Sequence, residues 1–176
     1  MRLRSFLALL ATGACAHSGG ADRPGPQPVA SGTIRDAAGE RIGVATLSDT
    51  AGALRLGVSV GSLPPGPHGF HFHAQGSCTP PDFASAGAHF NPDGRKHGRL
   101  NPEGPHLGDL PNLVVGANGS VDTSLVVPKE LVGSGPSSLL QPGGTALVIH
   151  ADPDDERTDP GGNSGARVAC AVIEPG

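Results

Sequence analysis

Six histidines and one aspartate stand at metal-ligand spacing in this chain: His71 and His73 in GFHFH, His89, His97, His106 and Asp109 between AHFNP and HLGD, and His150 ending LVIH. Imidazole and carboxylate donors in this number can hold two metal ions that share one residue. A redox metalloenzyme is therefore the leading reading. Histidines two apart on a strand point to the same face, about 7 Å apart along it. His71 and His73 can thus converge on one ion while Phe70 and Phe72 face the other way. Taken alone, such a pair is as readily a surface or core feature as a ligand pair. The set His89, His97, His106 and Asp109, three imidazoles and a carboxylate, suits zinc. His150, at the end of an apolar run, can reach the sheet position of His71 and His73. An all-imidazole group of that kind suits copper(II) in a tetragonal arrangement.

These donors need a scaffold, and the pattern around them is that of short strands. Val29 to Ile34 and Ile42 to Leu47 flank a turn at Asp36 to Glu40, which predicts a hairpin. Leu54, Leu56, Val58 and Val60 alternate with Arg55, Gly57 and Ser59, the signature of a strand with one buried face. Leu63 to Pro67 stops that strand and leads into the segment from His68 to His73. Leu113 to Val115 and Val121 to Val127 flank Asn118-Gly119, a hairpin turn signal. Thr145 to Ile149 and Arg167 to Ile173 complete the set, separated by a polar loop from Ala151 to Ala166. The stretch from Ala74 to Leu110 is too long for an idle loop and needs something to order it, which bound zinc would do. Eight short strands and two long functional loops predict an all-β fold, a β-sandwich or Greek-key barrel.

Composition agrees with this architecture. The 176 residues are about one domain's length, with 28 Gly, 18 Pro, five Phe and neither Trp nor Tyr, so the core must rest on Val, Leu, Ile and Ala. The formal net charge is −4 and no basic stripe is present, which excludes a nucleic-acid partner. Arg2 and Arg4 precede an apolar run from Phe6 to Ala11, so residues 1–14 read as an export signal too short to span a membrane. Residues 15–28 read as a flexible tether and residues 29–176 as the folded domain. Of three cysteines, Cys78 and Cys170 lie in that domain and Cys15 is the odd one, at a boundary that resembles a bacterial lipoprotein processing site. Lipidation at Cys15 would make it the membrane contact, and the expected location is the periplasm or cell envelope.

The segments HGFHFH, AHFNPDGRKHG, HLGDLPN, VIHADPDD and GNSGARVACAVI together resemble the successive signature segments of the Cu,Zn superoxide dismutase family, from Val29 to Ile173. The resemblance implies an eight-stranded Greek-key fold and dismutation of superoxide to O₂ and H₂O₂ by Cu²⁺/Cu⁺ cycling. It implies copper on His71, His73, His89 and His150, and zinc on His89, His97, His106 and Asp109. His89 would bridge the metals and carry a proton. Asp154 would be the carboxylate between His71 and His97, Arg167 the cation beside copper, and Cys78–Cys170 the disulfide. His68 is expected to be structural, and His17 lies in the tether.

In one respect the chain departs from well-known family members. Only thirteen residues run from Asp154 to Arg167, and a substrate-steering lysine found in many of them has no match, leaving Arg157 and Lys96 as candidate substitutes. Subunit contacts vary in the family, so the resemblance implies no particular oligomer. Three other readings compete: a non-catalytic copper and zinc storage protein on the same fold, a zinc hydrolase using His71, His73 and His150, and a structural domain with incidental histidines. Storage needs neither a bridge nor Arg167, and a hydrolase lacks a general-base carboxylate beside GFHFH.

Overall fold

The computed structural model describes residues 27–176 apart from residue 51. Nine strands form among them: β1 Gln27–Asp36, β2 Arg41–Thr50, β3 Ala53–Val60, β4 Gly66–His68, β5 Phe70–His73, β6 Leu113–Val115, β7 Val121–Val127, β8 Thr145–His150 and β9 Arg167–Pro175. Seven make one antiparallel sheet in the order β5-β8-β9-β1-β2-β3-β7, and β4 with β6 forms a separate two-stranded ribbon. The only helical pieces described are 3-10 turns at Ala84–Ala86 and Lys129–Val132. None is long and apolar enough to cross a membrane. The expected all-β class holds, and the eight expected strands are joined by β4, which overlaps the end of the predicted turn Leu63 to Pro67 and the first residue of the segment after it.

Local chemistry accounts for the frame. The β1–β2 turn closes on Asp36, whose Oδ1 accepts the backbone N–H groups of Ala38 at 3.0 Å and Glu40 at 2.9 Å. Along β3 the alternation predicted from the sequence appears in full, with Leu54, Leu56, Val58 and Val60 buried. One expectation is corrected. Asn118-Gly119 does turn the chain, with Gly119 at φ 75° and its N–H donating to the Gly116 carbonyl. The strands beside it, however, do not pair with each other: β6 pairs with β4, and β7 pairs with β3. The turn carries the chain from the small ribbon to the large sheet, a choice made by distant partners and not by the turn residues.

The central strand for function is β8. It is buried on both faces because it lies between β5 and β9 and is covered on each side. Leu147 and Ile149 join the main core with Phe70 and Phe72, whereas Ala146 and Val148 join a smaller cluster with Phe83, Ala86 and Cys170. His71 pairs with Val148 and His73 with Ala146, so both histidines share that second face. The free edge of β5 is then taken by the long loop. Phe72 N–H donates to the Gly108 carbonyl at 2.9 Å, Phe90 N–H to the Phe72 carbonyl at 2.8 Å and Ala74 N–H to the Ala88 carbonyl at 2.9 Å. Bridges His71–Asp109 and His73–His89 result, and they deliver the loop's donors to the strand's histidines. Covering the edge also removes a pairing hazard.

Candidate metal centre

Two groups of donors converge, each with its ligand atoms within 4.8 Å of one another: His71, His73, His89 and His150, and His89, His97, His106 and Asp109. These are the two sets predicted, and His89 alone belongs to both. In the second group the Asp109 carboxylate meets His89 Nδ1 at 3.0 Å, His97 Nδ1 at 3.2 Å and His106 Nδ1 at 3.2 Å. A tetrahedral ion with bonds of about 2.0 Å sets its ligands about 3.3 Å apart. The spacing therefore fits a zinc-sized ion. In the first group His73 Nε2 and His150 Nε2 stand 3.4 Å apart. His97 Nδ1 faces the Asp109 carboxylate at 3.2 Å, and His71 Nδ1 is buried without a hydrogen-bond partner. Buried nitrogens are seldom left so unless a ligand completes them.

The outward nitrogens orient the rings. His73 Nδ1 donates to the Gly87 carbonyl at 2.9 Å, and His150 Nδ1 to the Gly165 carbonyl at 3.3 Å. Asp154 sits between the groups, at 2.5 Å from His71 Nε2 and 3.0 Å from His97 Nε2, as the sequence reading expected. Such partners place the N–H on the outer nitrogen and leave the inner one as a donor to metal. His68 lies outside both groups, its nitrogens facing the His150 and Pro64 carbonyls at 2.7 and 2.8 Å.

Proton affinities divide along the same line. Burial, reinforced by neighbouring imidazoles, pushes His73 down to about 2 and His150 to about 3. Burial also pushes His89 down to about 4, against the pull of Asp109. His97 behaves oppositely: burial opposes its charge, but hydrogen bonds with Asp109 and Asp154 win and raise it to about 9. Asp109 and Asp154 are both held below the ordinary carboxylate range by their histidine hydrogen bonds, again against burial.

Beside the first group is a cavity of about 390 Å³ whose wall includes His73, His89, His150 and Arg167. Arg167 is anchored on the loop opposite, its Nη1 donating to the Phe83 carbonyl at 2.7 Å and its Nη2 to the Gly87 carbonyl at 2.6 Å. The Cys78–Cys170 disulfide ties that loop to β9, three residues from Arg167.

A family model described as copper/zinc superoxide dismutase matches residues 41–173. The chain belongs to the copper/zinc superoxide dismutase family. Superoxide dismutase [Cu-Zn] 2 of Aquifex aeolicus is 48% identical over 137 residues, 77% of this chain and 80% of that protein. Among solved structures, a SOD-like protein from Bacillus subtilis superposes with a TM-score of 0.76 at 41% identity, covering 81% of this chain and 96% of that one. The Cu/Zn superoxide dismutase from Brucella abortus superposes with a TM-score of 0.63 at 32% identity, covering 82% and 98%.

Within this family frame, the sequence reading missed several supports. Asn112 clamps Asp154 from 42 residues away, donating to its carbonyl and accepting from its N–H, both at 2.8 Å. The Gly87 and Gly165 carbonyls that orient His73 and His150 carry no side-chain signal at all. Asp159 lines the cavity and accepts the backbone N–H of His97 on the loop that carries the second group. Neither steering substitute lines the cavity: Arg157 is exposed, and Lys96 is paired with Asp159 at 3.4 Å. Cys15 and His17, with the segments expected to be an export signal and most of the expected tether, lie outside the described residues.

Proposed function

We propose that this chain is a superoxide dismutase carrying copper on His71, His73, His89 and His150 and zinc on His89, His97, His106 and Asp109. The observation that carries the reading is His89, the one residue common to both donor groups, next to a cavity that also presents Arg167. Bound copper would supply one-electron chemistry that turns two superoxide anions and two protons into O₂ and H₂O₂, with redox-inert zinc as a structural partner. The chain's own residues do the rest. His71, His73 and His150 are held as inward donors by Asp154, Gly87 and Gly165. His89 keeps Nδ1 beside Asp109, so its Nε2 is the atom at which a proton can be held for the departing peroxide. Arg167, fixed by two carbonyls and charged at any working pH, attracts and orients the anion on a chain of net negative charge.

The test is metal analysis of the mature protein together with superoxide decay before and after copper removal. Two metals per chain and activity lost with copper, then regained on its return, is the expected result. A protein that binds both ions without speeding superoxide decay is a storage protein instead.

We infer that residues 1–14 direct export and that Cys15 carries a lipid anchor in the periplasm or cell envelope. Cys78 and Cys170 take each other, which leaves Cys15 as the cysteine outside the disulfide. Mass spectrometry of the mature N-terminus tests this, with an acylated Cys15 expected. An unmodified terminus after Ala14 or Ala16 would mean ordinary soluble export.

A further inference from the structure

We propose that Asp159 is a positioning residue that joins the zinc-side ligands to the rim of the copper-side mouth, with Lys96 offsetting its charge there. The proposal rests on the two-metal reading above. Asp159 Oδ1 accepts the backbone N–H of His97 at 2.7 Å and lies 3.9 Å from Nε2 of His106, the ring nitrogen turned away from Asp109. Its Oδ2 is 3.4 Å from Lys96 Nζ. The same residue forms part of the wall of the cavity shared by His73, His89, His150 and Arg167. One side chain from the short loop over the mouth thus touches the zinc-side loop at Lys96, His97 and His106.

Two physical consequences follow from that placement. A carboxylate hydrogen-bonded behind a ligating residue holds that residue in place, so Asp159 fixes the His97 backbone from outside, where Asp154 supports the His97 ring from within. Toward His106, 3.9 Å away, Asp159 contributes its charge and no hydrogen bond. A bare carboxylate on the wall of the mouth would also repel an anionic substrate, and the Lys96 ammonium beside it cancels that field locally. Both side chains are over a third exposed, so the pair itself adds little stability. Its effects lie in metal affinity and anion approach.

The experiment uses the full metal-loaded protein with Asp159→Ala, Asp159→Asn, Lys96→Met and the double variant Lys96→Met/Asp159→Asn. Zinc-site affinity is read by chelator competition and by the visible bands of cobalt(II) substituted there. Asp159→Ala should weaken that site by about 10-fold and shift the cobalt bands, with Asp159→Asn milder because it keeps an acceptor for the His97 N–H. Lys96→Met should keep near wild-type metal affinity but lower kcat/KM for superoxide several-fold at low salt. The deficit should vanish at high salt and in the double variant. Wild-type affinity and cobalt bands in Asp159→Ala, even with a lowered melting temperature, would overturn the positioning role. An unchanged low-salt kcat/KM in Lys96→Met would overturn the charge-offset role. Wild-type protein that takes up no second metal would overturn both this proposal and the reading beneath it.

Discussion

His73 and Arg167 share one acceptor: the Gly87 carbonyl lies 2.9 Å from His73 Nδ1 and 2.6 Å from Arg167 Nη2. A donor of the first histidine group and the cation of the mouth are therefore set by a single backbone atom. Any shift of the loop carrying Gly87 moves both.

Replacing Arg167 tests the cation's half of that relationship. Lysine keeps a charge but lacks the planar fork that reaches the Phe83 and Gly87 carbonyls together. Arg167→Lys should lose about 10-fold in kcat/KM, equivalent to about 1.4 kcal/mol of transition-state stabilisation, and Arg167→Leu should lose more. Metal content measured on the same samples should stay at the wild-type level.

Removing the disulfide tests the loop. Cys78 and Cys170 are 92 residues apart in sequence, and closing a loop of that length contributes about 4–5 kcal/mol by the chain-entropy argument. The double variant Cys78→Ser/Cys170→Ser should melt well below the wild type. Its kcat/KM should also fall at temperatures where it remains folded, because Phe83 and Gly87 sit on the released loop.

Asn112 offers a test at a distance from either donor group. Asn112→Ala removes both hydrogen bonds to the Asp154 backbone and should destabilise the metal-free protein by about 1–2 kcal/mol. Looser placement of Asp154 should weaken metal binding by about 10-fold at the histidines it orients. Denaturant melts and chelator competition read the two effects separately.

Proton linkage separates the two metals. In the metal-free protein His97 is raised from 6.5 to about 9, so it is protonated at pH 7.5 and zinc must displace that proton. Calorimetric titrations in buffers of different ionisation heat should show about one proton released per zinc. The His97 contribution to metal-free stability is fully present below 6.5 and is lost as pH rises through about 9. Asp154 is held below 3.8, so its contribution is present above that value and is lost as pH falls further. His73, His150 and His89, at about 2, 3 and 4, bind no competing proton near neutrality. Stepwise acid dialysis should therefore release zinc before copper.

Gly162 tests how closely the loop must approach the carboxylate. It adopts φ +62°, and a methyl group there would overlap the Asp154 carboxylate and stand 2.7 Å from His97 Nε2. Gly162→Ala should cost about 1–3 kcal/mol of stability from the left-handed backbone alone. It should also lower zinc affinity beyond the Asn112 variant, measured by the same competition.

The amino-acid sequence by itself determined which side chains could act and on which face of a strand they lie, because side-chain chemistry and the two-residue strand period are local properties. His71 and His73 were legible for that reason, and so was the buried face of β3. The family resemblance then carried the pairing of Cys78 with Cys170 and the place of Asp154. Tertiary structure alone decided what depends on chain closure. It chose which nitrogen of each imidazole faces inward, since the outer partners of His73 and His150 are backbone carbonyls that carry no side-chain signal and that of His71 and His97 is a carboxylate distant in sequence. It sent β6 and β7 to different partners across a turn that reads as a hairpin. It brought Asn112 to Asp154 across 42 residues and Asp159 to His97 across 62, contacts with no local pattern to announce them. The decisive physical event is the docking of the long loop on the open edge of β5, where backbone hydrogen bonds, indifferent to side-chain type, place His89 and Asp109 against His73 and His71.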